Sequence, residues 1–260
     1  MEITIRREEP SDHRAVEELT REAFWGLFTP RCDEHLLVHL LRESPSFVPE
    51  LDVVAEADAV LVGHVIYSRA SVTNQAGMHE VLTFGPLSVL PSHQFEGVGG
   101  ALMRRTLPAA AALGHRAVVV YGHADYYPRF GFRPAARFGI TAPGGGTFDS
   151  LMALALVDGG LDGITGEFHE DPVFDLDPAQ AAEFDRGFPP RPDAVLTPLA
   201  AAATVLPSQT IAALRQRGVV NLADLRRYSR AEMAALPRMD DEACGALRTL
   251  LADHGIRWGR

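Results

Sequence analysis

The chain has 260 residues, of which 47% are hydrophobic and 22% charged, an ordinary globular balance and enough for one large domain or two modest ones. No apolar run approaches the roughly 20 residues of a membrane helix, and the opening MEITIRREEP does not read as a signal or transit peptide. Cys32 and Cys244 are too few for a disulfide framework and too far apart for a zinc site, so a reducing cytoplasm is the expected compartment.

The elements follow in chain order. The alternation of ITIRR predicts a strand, and Ser11 is a plausible cap for a helix with Val16, Leu19, Ala23 and Phe24 on one face. DEHLLVHLLRE predicts a second helix. LDVVAEADAVLVGHVIYSRASV reads as two antiparallel strands turning near Asp58 and Ala59. A long strand from about Glu80 to Leu90 contains Gly85-Pro86; Pro86 has no N–H for a ladder, so a bulge or a parting from the neighbour is expected there.

Next comes the loop QFEGVGG and a helix from about Val98 to Leu113, with Pro108 inside it and Gly114 ending it. RAVVVYG is a short buried strand, which implies a right-handed parallel crossover from the preceding one. ADYYPRFGF predicts a short helix, residues 133–157 further strands, and FHEDPVFDLDPAQAAEFDRGFPPRPD an extension ending in a Pro-rich hinge.

Charge divides the chain. Residues 1–190 carry 14 Arg against 27 acidic residues, whereas residues 205–260 carry 9 Arg against 6. An acidic large part with a mildly basic helical tail implies two units, and the acidic part would repel nucleic acid. Every one of the 24 basic residues is arginine.

Three glycines at one helix start suggest that something lies against bare backbone. A phosphate fits, because the first N–H groups of a helix are unpaired and its dipole is positive there. A P-loop needs a lysine, which the chain lacks, and QFEGVGGA does not have dinucleotide-fold spacing. Gln94-Phe95-Glu96-Gly97-Val98-Gly99 resembles the Q/R-x-x-G-x-G/A loop of the GNAT superfamily of N-acetyltransferases. Tyr127-Pro128-Arg129-Phe130-Gly131-Phe132 resembles that family's Y-x-x-x-G-F. The resemblance covers residues 3–157 and implies an α/β (α+β) acyl-CoA N-acyltransferase fold with a mixed central sheet, splayed where Pro86 stands.

The resemblance also implies roles. Acetyl-CoA is the expected co-substrate, its pyrophosphate cradled by Gln94, Phe95, Glu96, Gly97, Val98, Gly99 and Gly100, with the Glu96 carboxylate turned to solvent. Its pantetheine would lie along Leu87, Ser88 and Val89, an N–H there polarising the thioester carbonyl. Tyr127 would protonate the departing thiolate, a phenol of pKa about 10 being suited to that task. Glu80 and His123 are the candidates for the general base, unless water serves. The expected activity is acetyl transfer to a primary amine of a small molecule or protein. The alternative is a non-catalytic, acetyl-CoA-responsive regulatory protein.

The expected organisation is an acetyltransferase domain over 1–170, an extension and Pro-rich linker over 171–204, and a helical domain over 205–260. The last resembles the helix-hairpin-helix C-terminal domain of the bacterial RNA polymerase alpha subunit, through Leu206, Thr210, Leu214, Leu222, Asp224, Leu225, Leu236, Pro237, Leu247, Leu251 and Gly255. Its DNA-contacting residues do not match: Gln209 and Ala212 replace an arginine and an asparagine, and Asp240, Asp241, Glu242 and Ala243 replace a basic hairpin. A protein partner is expected through this region rather than DNA.

Overall fold

The computed structural model describes residues 2–254 and residue 256. They fold as two compact units. One takes the chain up to Ala23, Asp33–His93 and Gly97–Phe188; the other takes Phe24–Cys32, Gln94–Glu96 and the chain from Pro189 onward. No helix among the described residues is long and apolar enough to cross a membrane.

The first unit is built on β1 (Thr4–Arg7), α1 (His13–Phe24), α2 (Glu34–Leu41), β2 (Val53–Ala57), β3 (Val60–Asn74) and β4 (Gly77–Val89). It continues with α3 (Val98–Ala112), β5 (Ala117–Tyr121), β6 (Arg133–Pro134), β7 (Ile140–Thr141), β8 (Leu151–Ala155), β9 (Gly166–His169) and α4 (Pro178–Asp185). The strands lie in the order β1-β2-β3-β4-β5-β8-β6, with β9 on the free edge of β3 and β7 beside β9. The β2–β3 hairpin turns on Asp58 and Ala59, both at positive φ (50° and 61°), as a two-residue hairpin of matching twist requires.

Two faces of the sheet are covered for different reasons. On one, Leu102 and Met103 of α3 bury against Val65, Tyr67, Leu82, Phe84 and Val118, and the Tyr67 and Thr106 hydroxyls share a buried hydrogen bond of 2.8 Å. Gly63 allows this contact: a Cβ there would stand 2.6 Å from the Val98 side chain. On the other face, Val16 of α1 and Leu37, Val38 and Leu41 of α2 cover Val54 and Ile66. Each such aliphatic side chain contributes about 1.5–3 kcal/mol on burial.

Beneath α1 and α2 lies an ionic network. Arg42 donates to Glu8 at 2.6 Å and to Glu17 at 3.1 Å, while His64 and Asp52 meet at 2.8 Å. Burial raises the Asp52 carboxyl to about 6 even with His64 beside it. Burial also opposes ionisation of Glu8, but His64, Asp52 and Arg42 outweigh it and hold that carboxyl well below the usual range.

The segment read in the sequence as a plain extension contributes structure. Residues 166–169 pair with β3, Ser71 opposite His169 and Thr73 opposite Glu167. Arg21, buried in α1, makes a two-point ion pair with Asp185 of α4. The first unit thus runs on to Phe188.

The second unit is helical: α5 (Ser208–Gln216), α6 (Arg230–Ala234) and α7 (Asp241–Asp253), with short 3-10 turns at Leu199–Thr204 and Leu222–Arg227. Leu206, Leu214, Leu222, Leu225, Leu236, Leu247 and Leu251 form its core. Thr210 donates to the Pro237 carbonyl at 2.6 Å, and Asp224 accepts from the Val220 and Asn221 amides at 2.8 Å. Arg226 donates to the Trp25 and Gly26 carbonyls at 2.9 and 3.0 Å, tying Phe24–Cys32 into this unit. Gly255 lies outside the described residues.

Candidate active site

The strand carrying Gly85-Pro86 does what a proline without an N–H dictates. The β3–β4 register steps from Val65 opposite Leu87 to Tyr67 opposite Phe84, so Gly85 and Pro86 together face Ile66. Beside this bulge β4 and β5 are barely joined: they pair in parallel only at Leu82 and Val118. Three residues further along each strand, at Gly85 and Tyr121, the edges are no longer paired. A parted parallel pair is a place where an extended ligand can add.

The N-terminus of α3 adjoins the end of β4. Gly97 is the residue before the helix, at φ 90°, and the space beyond its missing Cβ is open. Its two companions are glycine for reasons within the protein. A Cβ on Gly99 would come 2.7 Å from the Tyr126 hydroxyl, and one on Gly100 would come 3.1 Å from the Arg104 guanidinium. An exposed arginine one turn into α3 thus leans back toward the first turn, where unpaired amides already favour an anion. Gln94, Phe95 and Glu96 belong to the second unit; there Phe95 takes φ 64° and is 41% exposed.

Two adjacent tyrosines follow β5. Tyr127 is buried, its ring 5.5 Å from those of Phe84 and Phe132 and 5.1 Å from that of Tyr126. Gly122 is required for this, since a Cβ there would overlap the Tyr127 ring. Burial, with smaller contributions from Tyr126 and Tyr67, pushes the Tyr127 phenol well above its ordinary value. It stays protonated throughout the neutral range, and burial makes it a weaker acid than the phenol of about 10 expected from sequence. Tyr126 is half-buried, with the Arg129 guanidinium 4.6 Å over its ring.

Three solved or curated relatives bear on this arrangement, although no family model matches the chain. The uncharacterized N-acetyltransferase YjhQ of Escherichia coli (strain K12) is 35% identical over 134 residues, which span 52% of this chain and 71% of YjhQ. This chain belongs to the GNAT family of N-acetyltransferases. The E. coli GNAT-family N-acetyltransferase YhbS, solved in complex with CoA, is 28% identical with a TM-score of 0.59, over 67% of this chain and 92% of that one. A GNAT-family acetyltransferase from Brucella melitensis, solved in complex with acetyl-CoA, is also 28% identical, with a TM-score of 0.54 over 66% and 98%.

In this acetyltransferase the remaining expected residues are placed as follows. Leu87, Ser88 and Val89 lie beyond the bulge, opposite Val65, His64 and Gly63; the Ser88 hydroxyl is buried against Thr20 at 2.9 Å. His123 begins the turn into the tyrosine pair, its carbonyl accepting from the Tyr126 and Tyr127 amides at 2.9 and 3.3 Å. Glu80 stands apart from these residues. It sits near the other end of β4, about 20 Å of extended strand from Pro86, in a surface charge cluster 3.9 Å from both Arg69 and His115. The strand and the bulge at Pro86 were legible, but the surface cluster with Arg69 and His115 depends on pairing with β3 and on the chain after α3.

The sequence reading missed Arg104, Tyr126, Tyr121 and Glu170. Tyr121 ends β5 at the parted edge, its ring 5.8 Å from that of Phe168 on β9. Glu170 directly follows β9, and burial raises its carboxyl to about 7. The contiguity of FHED with β9 is the only sequence signal for it, and that signal is weak without knowing that 166–169 is a strand.

Proposed function

We propose that this protein transfers the acetyl group of acetyl-CoA to a primary amine by direct attack. The observation that carries the reading is the bulge at Gly85-Pro86 beside a nearly unpaired β4–β5 edge, immediately before a glycine-led helix. CoA and acetyl-CoA in the two 28%-identical relatives support the choice of co-substrate.

Within the first unit, the amides of Gly97, Val98, Gly99 and Gly100 hold the pyrophosphate at the start of α3, with Arg104 adding charge. Gln94, Phe95 and Glu96 enter only through their likeness to the family loop. The pantetheine runs along the backbone of Leu87, Ser88 and Val89, where an edge amide polarises the thioester carbonyl. The acceptor's neutral nitrogen attacks the carbonyl carbon, the C–S bond breaks, Tyr127 gives its hydroxyl proton to the thiolate, and the proton released by the nitrogen restores the phenol. His123 stands as a base candidate from sequence; its carbonyl has a turn-forming role in any case.

For residues 205–260 we propose a helix-hairpin-helix module that contacts protein rather than DNA. The supporting observation is the hairpin end: Asp240 caps α7 through the Ala243 amide at 2.8 Å, and Asp241 and Glu242 are exposed in its first turn. Three carboxylates there repel a phosphate backbone. The compartment proposed is the cytoplasm, in keeping with two free cysteines.

Thiol release from acetyl-CoA, measured across a panel of primary amines, tests the transfer reading. Amine-dependent release supports it. Tight acetyl-CoA binding with no release would favour a regulatory sensor.

A further inference from the structure

We propose that Glu170 is the general base of this reaction. It is a role no expected residue fills well, and the inference rests on the acetyl-transfer reading above. In the proposed step the Glu170 carboxylate takes a proton from the acceptor's ammonium. The freed lone pair forms the C–N bond at the thioester carbonyl, the C–S bonding pair leaves on sulfur, Tyr127 protonates the thiolate, and the second proton shed by the nitrogen restores the Tyr127 phenol.

Three placements bring Glu170 to the parted edge. First, β9 ends with His169 opposite Ser71, and carrying that register one residue on sets Glu170 beside Ala70. Alternation puts it on the same face as Phe168, the face that also holds Ala70 and Val72. Second, the chain beyond Glu170 crosses the bulge: the Phe174 ring lies 3.8 Å from where a Cβ on Gly85 would be. Asp171 pins this crossing, accepting from Ser44 at 3.0 Å and from the Val173 amide at 2.9 Å. Third, the charge on Glu170 reaches Tyr121 at the end of β5: burial first, and then Glu170, raise that phenol. The segment that Glu170 opens thus reaches Gly85 through Phe174, and Glu170 itself acts on Tyr121, the two residues at which β4 and β5 have parted.

The carboxyl is also uncommitted. No hydrogen bond or ion pair engages it among the described residues, whereas the charged groups around it have other partners. Asp171 is held as above, His169 and Glu167 lie 3.8 Å from one another, and Tyr121 packs on Phe168. Ser68 and Thr83, paired across β3 and β4 on the same face, are fully buried hydroxyls without a hydrogen-bond partner among the described residues. Hydroxyls therefore stand unpaired beneath the surface of this face, next to Ala70 and Val81. With burial as its only cause, the shift of Glu170 to about 7 poises it to exchange a proton at neutral pH.

The test compares Glu170→Gln with the wild type on two kinds of acceptor. Primary alkylamines (ethylamine, phenylethylamine and putrescine) are protonated at pH 7 and need a base, while hydroxylamine is already neutral. The variant is expected to lose about 10²–10⁴-fold in kcat/KM with the alkylamines and to lack the rise in rate near pH 7. With hydroxylamine it should lose less than about tenfold, and acetyl-CoA affinity should be unchanged. Equal losses with both kinds of acceptor, or an unaltered pH profile in the folded variant, would overturn the assignment. A wild-type enzyme inactive with every amine overturns the transfer reading itself and the base with it. If the variant does not fold, carbon-13 titration of glutamate carboxyls in the wild type decides: a group titrating near pH 7 that is missing in Glu170→Asp supports the role, and none above pH 6 contradicts it.

Discussion

The Tyr126 hydroxyl fills the space a side chain at Gly99 would need, 2.7 Å from the position of its Cβ. The glycine is thus fixed by the protein's own aromatic turn as well as by any ligand at α3. Gly99→Ala should cost about 1–3 kcal/mol in denaturant unfolding through overpacking. Removing the hydroxyl with Tyr126→Phe in the same chain should restore most of it. A double variant no more stable than the single one would mean that the strain lies elsewhere.

Tyr127→Phe should lower kcat by about 10²–10⁴-fold while leaving acetyl-CoA affinity nearly unchanged, because the hydroxyl acts on the leaving thiolate. Since its phenol is raised above the ordinary value of 10, no loss of rate from its ionisation should appear below about pH 10. Wild-type turnover in the variant would reduce Tyr127 to a packing residue.

Arg42→Met should destabilise the fold by about 3–5 kcal/mol at neutral pH, because it leaves buried Glu8 and Glu17 without their cation. Glu8 is depressed in the folded state, so its contribution is present above the ordinary glutamate range and is lost as pH falls through its lower folded value. The gap between the variant and wild type should therefore narrow in acid. Thermal melts from pH 7 down to pH 3 read this directly, and a gap independent of pH would contradict it.

Glu170 predicts the opposite sign. Its folded value of about 7 lies above the ordinary 4.5, so ionisation destabilises the fold increasingly from about pH 4.5 and fully above pH 7. Glu170→Gln should melt higher than wild type at pH 8 and equally at pH 4. A lower melting temperature at pH 8 would show that the carboxylate is a structural partner instead.

The full chain should not shift mixed DNA duplexes at physiological salt, since Asp240, Asp241 and Glu242 occupy the hairpin end of α7. Attraction seen only at low salt belongs to the arginines and fades as counterions compete. Micromolar binding that persists at physiological salt would contradict the prediction.

Much of the fold could be read in advance because local rules and tertiary packing agree. Pro86 forces the bulge wherever it sits in a ladder, Asp58-Ala59 turns a hairpin whose flanks alternate, and the leucines of residues 205–251 are spaced as a core. Two backbone features of the candidate site could be read in advance: Gly97 stands at the start of α3, and Tyr127 opens the turn that follows β5. The site was not legible where long-range pairing decides it. Glu170 carries almost no signal in sequence; the pairing of β9 with β3 is what brings its segment toward the bulge, whereas Glu80 lies on the surface beside Arg69 and His115.

The central claim is that the amide-lined start of α3 and the parted β4–β5 edge bind acetyl-CoA for transfer. Calorimetric titration of acetyl-CoA into the wild type and Gly99→Glu, with the fold of each checked by circular dichroism, tests it most directly. Gly99→Glu brings a carboxylate into the first turn of α3, beside the amides proposed to hold the pyrophosphate, and because its Cβ crowds the Tyr126 hydroxyl the fold check is part of the test. Saturable binding by the wild type that is abolished in the folded variant is the predicted result. Equal affinity in both would contradict the account.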